Sequence, residues 1–192
     1  MLSRLRDNWV YGGFLAALLL LALTPVLSAS WPLPLTLVWL QLPLYMLHQY
    51  EEHDGDRFRR FVNGTVGGGR EVLTRGDTFV INILGVWGLN GAVFVLVAEG
   101  YTGLGTIAVY LSLVNGIGHC VQAIALGRYN PGLVTSALLF LPLGIVTLGM
   151  LGLSPGVTAG DHLIGLGAAL LVHALIIARV AIRKRQLMKR EI

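Results

Sequence analysis

The 192-residue chain is 55% hydrophobic and 12% charged, about half the charged fraction of an ordinary soluble domain, which excludes a soluble or disordered protein and points to a membrane. Its formal net charge of +4 does not indicate nucleic acid, because the Lys and Arg residues flank apolar blocks rather than cover a soluble face; the expected partners are anionic membrane lipids. A lone cysteine, Cys120, lies inside an apolar block and excludes an intramolecular disulfide.

A helix needs roughly 20 apolar residues to cross a hydrocarbon core. Six segments reach that length: Trp9–Ala29, Leu33–His53, Thr78–Ala98, Leu104–Leu126, Leu133–Leu153 and Val157–Ala181. The fold class expected is an all-α, polytopic bundle of six transmembrane helices forming one domain over residues 1–192. The first block, with Arg4 and Arg6 ahead of it and Ser28-Ala29-Ser30 behind, also has the outline of a cleaved signal peptide; its apolar stretch is long for that, which favours a retained helix, kinked near Pro25. After the second block comes the longest connection, residues 54–77, where Asp56-Arg57-Phe58-Arg59-Arg60-Phe61-Val62 mixes arginines with aromatics and suits a short helix along the headgroups. Gly67-Gly68-Gly69 is read as a flexible turn, since no GK[ST] follows it, and the sequon Asn63-Gly64-Thr65 as chance.

Orientation follows from the 14 Lys and Arg residues. They sit before span one, in loop 54–77, at Arg128, and from Arg179 through the tail 183–192. All fall on one side, so the positive-inside rule places both termini in the cytoplasm. Gly85, Gly88 and Gly91 in span three, with Gly116 and Gly118 in span four, are expected to let those two helices approach closely.

Polar residues inside spans carry the functional signal, because an ionisable group at mid-membrane costs about 2.5–3.5 kcal/mol on insertion scales. Span two ends in His48-Gln49-Tyr50-Glu51-Glu52-His53. Glu51 and Glu52 follow His48 by three and four positions and share its face, and Gln41 and Tyr45 continue the stripe. Span four repeats the pattern with Ser112, Asn115, His119 and Gln122. Two such stripes are expected to face each other or a shared wet cavity. Counting about 1.5 Å per residue from the nearest cytoplasmic charge puts His48 roughly 6 Å deep, Asn82 8 Å, His173 9 Å, His119 14 Å and Asn115 20 Å. These depths approximate one layer, with Asn115 as its floor. His53, at the helix end, is assigned a solvated role, and His162 a structural one; Gln41, Asn82 and Asn90 also suit plain helix-to-helix hydrogen bonding.

Histidines and carboxylates spaced i, i+3 and i+4 let one helix offer two ligands to a metal. His48, Glu51, Glu52 and His119, with His173 as a further candidate, form a mixed N/O set that suits zinc, iron or manganese. The same residues without metal form a general acid/base pair. The residue types leave both chemistries open.

Three motifs together resemble the HXXEE domain family of bacterial membrane proteins. His48-Gln49-Tyr50-Glu51-Glu52 fits the motif that gives the family its name, Asn115-Gly116-Ile117-Gly118-His119 an Asn-x-x-x-His motif, and Tyr129-Asn130-Pro131-Gly132 a Tyr-x-Pro-Gly motif. The resemblance implies a bacterial, inner-membrane protein and adds Tyr129 to the candidate site, as a cap, a hydrogen-bond donor to substrate, or a headgroup anchor; Pro131 and Gly132 also suit a plain chain reversal. It implies no reaction. The function expected is an intramembrane enzyme opening to the cytoplasmic leaflet, with His48, Glu51, Glu52 and His119 binding a divalent metal or moving protons and Asn115 orienting the substrate. A lipid or isoprenoid-like substrate would enter from the bilayer, with Arg57, Arg59 and Arg60 holding an anionic headgroup. The alternative is a proton- or metal-ion-coupled carrier using the same cluster, although the motif of span two has no counterpart in span five, as repeated carrier halves would have.

Overall fold

The computed structural model describes residues 1–191, and among them every regular element is helical. The long helices are α1 (Leu2–Leu27), α2 (Leu33–His53), α4 (Arg75–Ala98), α5 (Gly105–Leu126), α6 (Leu133–Gly152) and α7 (Ala159–Met188), with a short helix α3 (Arg57–Thr65) in the connection after α2. Five of them, α1, α4, α5 with the turn before it, α6 and α7, are long and apolar enough to cross a membrane, which marks the chain as an integral membrane protein. The expectation of six spans meets a difference at α2. It has 21 residues, enough to span, yet it is not among the five, because it carries Gln41 near its middle and His48, Gln49, Glu51 and Glu52 in its second half.

Helix ends differ from the sequence reading where charged residues continue a helix past its apolar block. Helix α1 starts at Leu2 and runs unbroken through Pro25. Helix α7 takes in most of the basic tail and ends at Met188. Both α4 and α7 begin on a reciprocal Thr/Asp box, Thr74 with Asp77 and Thr158 with Asp161, which satisfies backbone N–H groups that the first turn leaves open.

Helix α5 runs through the middle of the bundle, against α2, α4, α6 and α7, while α1 lies along α2. Between α4 and α5 the contact is made by Val93 and Val97 against Ala108 and Val109. The glycines expected there do not make it: a Cβ added at Gly85 or Gly91 would meet nothing. Close approach is found elsewhere, with Gly165 of α7 on Thr106, Gly144 of α6 on Leu113, and Gly116 of α5 on Phe140. Two helices are locally widened by π-type turns, α4 at Ile81–Trp87 and α6 at Ser136–Phe140. Such turns cluster at functional positions, and both lie beside the polar residues described below.

The connection after α2 does form the short helix α3, whose Val62 packs with Val72, Leu73 and Val180, Phe58 and Phe61 lying against that cluster. Asn63 is not idle in the loop: it donates to the Leu73 carbonyl and accepts from the Leu73 amide. Arg75 reaches Asp7 at 3.6 Å, Arg70 reaches Glu191 at 2.6 Å, and Arg183 donates to the Glu71 carbonyl at 2.8 Å. The N-terminal turns, the 54–77 connection and the C-terminal tail therefore gather at one end of the bundle.

Candidate functional site

The polar stripes of α2 and α5 meet. Asn115 donates to the Tyr45 hydroxyl at 2.9 Å and lies 3.2 Å from His48 Nε2, while His119 Nε2 lies 3.0 Å from Glu52 Oε1 and His48 Nε2 3.4 Å from Glu52 Oε2. His48, Glu52 and His119 are all buried, and their ligand atoms lie within 4.8 Å of one another. This position on α2 follows from the helix period, since i and i+4 stack on one face. Phe140, from the widened turn of α6, packs on His48 with ring centroids 4.4 Å apart and walls the cluster toward the bundle interior.

The remaining hydrogen bonds decide which nitrogen of each ring carries a proton. Asn130 donates its amide N–H to the His119 main-chain carbonyl at 2.9 Å, which turns its Oδ1 to His119 Nδ1 at 2.6 Å. His119 Nδ1–H is thus the donor. Thr135 spends its hydroxyl proton on the Glu51 carboxylate, so its oxygen accepts from His48 Nδ1 at 2.8 Å. Both imidazoles then turn an Nε2 lone pair toward the two oxygens of Glu52, and Asn115 pointing an N–H at His48 Nε2 agrees. A carboxylate facing two lone pairs in a buried site is repulsive without a cation between them, whether proton or metal. Rings held through Nδ1–H by an amide or hydroxyl oxygen are the arrangement that supports metal-bound histidines.

Glu51 takes no part in that cluster. Its carboxylate turns to the start of α6, accepting from the Tyr129 hydroxyl at 2.8 Å, the Val134 amide at 3.0 Å, the Thr135 amide at 2.7 Å and the Thr135 hydroxyl. It ties the 127–135 connection to α2 and, through Thr135, orients His48. Tyr129 is half-exposed and bonded to Glu51. Burial, and after it the neighbouring Glu51 carboxylate, raises its phenol above the ordinary value of 10.0, so it stands as a donor at neutral pH. His173 donates Nδ1–H to the Ala169 carbonyl of its own helix at 2.8 Å and lies apart from the cluster, in the wall of an adjoining cavity.

His53 requires a correction. The sequence assigned it to solvent, but it is 7% exposed, lies against Trp9, and places Nε2 3.4 Å from Glu52 Oε2. A second network fixes it: Trp87 donates to Gln49, Gln49 donates to Asn82 at 2.7 Å, and Asn82 donates to His53 Nε2 at 3.3 Å. Gln41 bonds across to Thr147 and His162 meets the Tyr110 hydroxyl, both helix-pairing uses.

Residues that the sequence reading did not assign to the site complete it: Gln49, Asn130, Gly132, Thr135 and Phe140. Asn130 and Gly132 lie inside the Tyr-x-Pro-Gly motif, so the motif itself was the available signal. Gly132 has φ +101°, and a Cβ there would come within 2.8 Å of Glu52 Cγ, His119 Cε1 and His48 Cε1 alike. The turn therefore sits directly on the cluster, and glycine is needed both for its backbone and for its lack of a side chain.

Beside the cluster lies a cavity of about 280 Å³ between α2, α3, α4, α5 and α7, mostly apolar. Glu52, Asn82, His119 and His173 give it a polar flank, Val86, Leu111 and Ile176 part of the rest, and Gly118 and Ile177 on its margin are exposed. The geometry thus provides a concentrated donor set at the end of an apolar chamber.

No curated protein and no solved structure matches the chain. A family model described as "Protein of unknown function with HXXEE motif" matches residues 39–147, a segment that runs from α2 into α6 and includes every member of the His48, Glu52 and His119 cluster. The chain belongs to the HXXEE family.

Proposed function

We propose that the protein is an intramembrane enzyme in which His48, Glu52 and His119 hold a divalent metal, zinc, iron or manganese by the character of the donors. The observation that carries this reading is the pair of Nε2 lone pairs aimed at one carboxylate, with both Nδ1 protons anchored by Asn130 and Thr135. A metal held there would supply a Lewis acid at the end of the apolar cavity. Asn115 holds the ring of His48 and presents its amide beside the cavity, where it can orient a bound molecule. The substrate class is a lipid or isoprenoid-like molecule, supported by the apolar lining and by the exposed residues at the cavity margin. The cytoplasmic side of a bacterial inner membrane is the location that the one-sided arginine and lysine distribution supports.

Metal content of the purified protein tests this directly. Wild type is expected to carry close to one ion per chain, and His48→Ala, Glu52→Gln and His119→Ala to lose it while keeping their helical content. Equal stoichiometry in all four proteins removes the metal and leaves acid/base chemistry by the same residues. Ion flux through reconstituted vesicles without any substrate would replace the enzyme with a carrier.

A further inference from the structure

A second cavity, of about 430 Å³, lies at the basic end of the bundle, between the first turns of α1, the segment joining α2 to α3, and the start of α4. Its charged lining is Arg6, Arg59, Arg60 and Arg75 against Asp7 and Asp56. Glu71, just outside the lining, pairs with Arg59 as well, which leaves one guanidinium in excess of the carboxylates. Some of the lining is already paired: Arg59 is held by Asp56 and Glu71, Arg6 by Asp7, and Arg75 lies 3.6 Å from Asp7 and 3.8 Å from Asp56. Arg60 is exposed and forms no ion pair among the described residues. Arg57, which the sequence grouped with Arg59 and Arg60, does not line the cavity; it turns to Asp54 and the Tyr50 carbonyl.

An independent observation comes from His53, which lines both this cavity and the apolar one. Its Nε2 accepts from Asn82, so its proton sits on Nδ1, and that atom is buried without a hydrogen-bond partner. An orphaned donor of this kind is costly, on the order of 1–3 kcal/mol, and it stands in the wall that separates the guanidinium groups from Glu52.

We infer that this cavity is an anion site for a phosphate monoester or diphosphate group. Guanidinium groups match phosphate oxygens in pairs; Arg60, without an ion pair, and Arg75, whose carboxylate partners lie at 3.6 and 3.8 Å, are the two best placed to do so, and a terminal phosphate presents them three unesterified oxygens where a phosphodiester presents two. Because His53 lines both cavities, a phosphate-bearing lipid docked at Arg60 and Arg75 would lie next to the apolar chamber that Glu52 and His119 flank. Its role as substrate rests on the lipid-substrate reading above; the binding itself does not.

The test uses the full chain in nanodiscs of neutral phosphatidylcholine, stripped of metal, so that failure of the metal reading leaves it untouched. Thermal stabilisation is measured with inorganic pyrophosphate and, separately, with phosphatidic acid in the disc, with phosphatidylglycerol as the diester control. Saturable stabilisation by either phosphate source is expected, weakened roughly tenfold in apparent affinity by Arg60→Gln or Arg75→Gln, and unchanged by Arg185→Gln in the tail. Response to phosphatidic acid alone assigns the site to a membrane-resident molecule, and response to pyrophosphate alone to a soluble one. Equal response to phosphatidylglycerol, equal loss with Arg185→Gln, or no saturable response overturns the assignment.

Discussion

The two glutamates of the His-x-x-Glu-Glu motif divide two jobs that the sequence could not tell apart. Positions three and four residues after His48 flank the same helical face, so either was eligible to meet His119. Packing chooses Glu52, and Glu51 becomes the clamp on the start of α6. What was legible at this scale was the periodicity that joined His48, Asn115 and His119. Asn130 and Gly132 showed only as members of a motif and Thr135 not at all, because a turn distant in sequence reaches the cluster only through tertiary placement. Gly132→Ala is the sharpest test of that turn. A left-handed backbone costs a non-glycine residue about 1–2 kcal/mol, and overpacking adds about 1–3 kcal/mol. The variant is expected to unfold at lower temperature and to hold the proposed metal more weakly; wild-type values for both would show that the turn does not press on the cluster.

At the scale of elements, the six-block outline was readable because each block is as long as a hydrocarbon core is thick. The ends of α1 and α7 were less so, since charged residues continue both helices beyond their apolar stretch. Helix α2 is the informative exception: the polar groups that build the site are the same ones that make it less apolar than its neighbours. The tie between α2 and α6 can be tested through Glu51. Glu51→Gln leaves one good acceptor in place of two and is expected to lower metal affinity about 10–100-fold through Thr135 and His48, without changing saturating stoichiometry; unchanged affinity would make the tie purely structural. The partner phenol adds a pH signature. Because the Tyr129 phenol is raised in the folded protein, its contribution to stability is complete below its ordinary value and fades as pH climbs through the raised one. Thermal unfolding of wild type should therefore fall more steeply above pH 10 than that of Tyr129→Phe.

For the whole molecule, one basic end, a buried cluster and an apolar chamber adjoin one another, with His53 as the partition between the two cavities. The one-sided charge was visible in the chain from the start, whereas the partition was not, because burial of His53 depends on α1 laying Trp9 against it. The Asn-Pro-Gly turn has a consequence for traffic into this arrangement. Seated against His48, Glu52 and His119, it corks the cluster from the side of the connection, and Glu52 and His119 open instead onto the greasy chamber. For the proposed metal, the way in and out would then run through a medium that charged chelators do not enter. A membrane-permeant chelator such as phenanthroline should strip the protein in nanodiscs faster than EDTA at equal concentration, and the order should reverse or vanish once Gly132→Ala pries the cork loose.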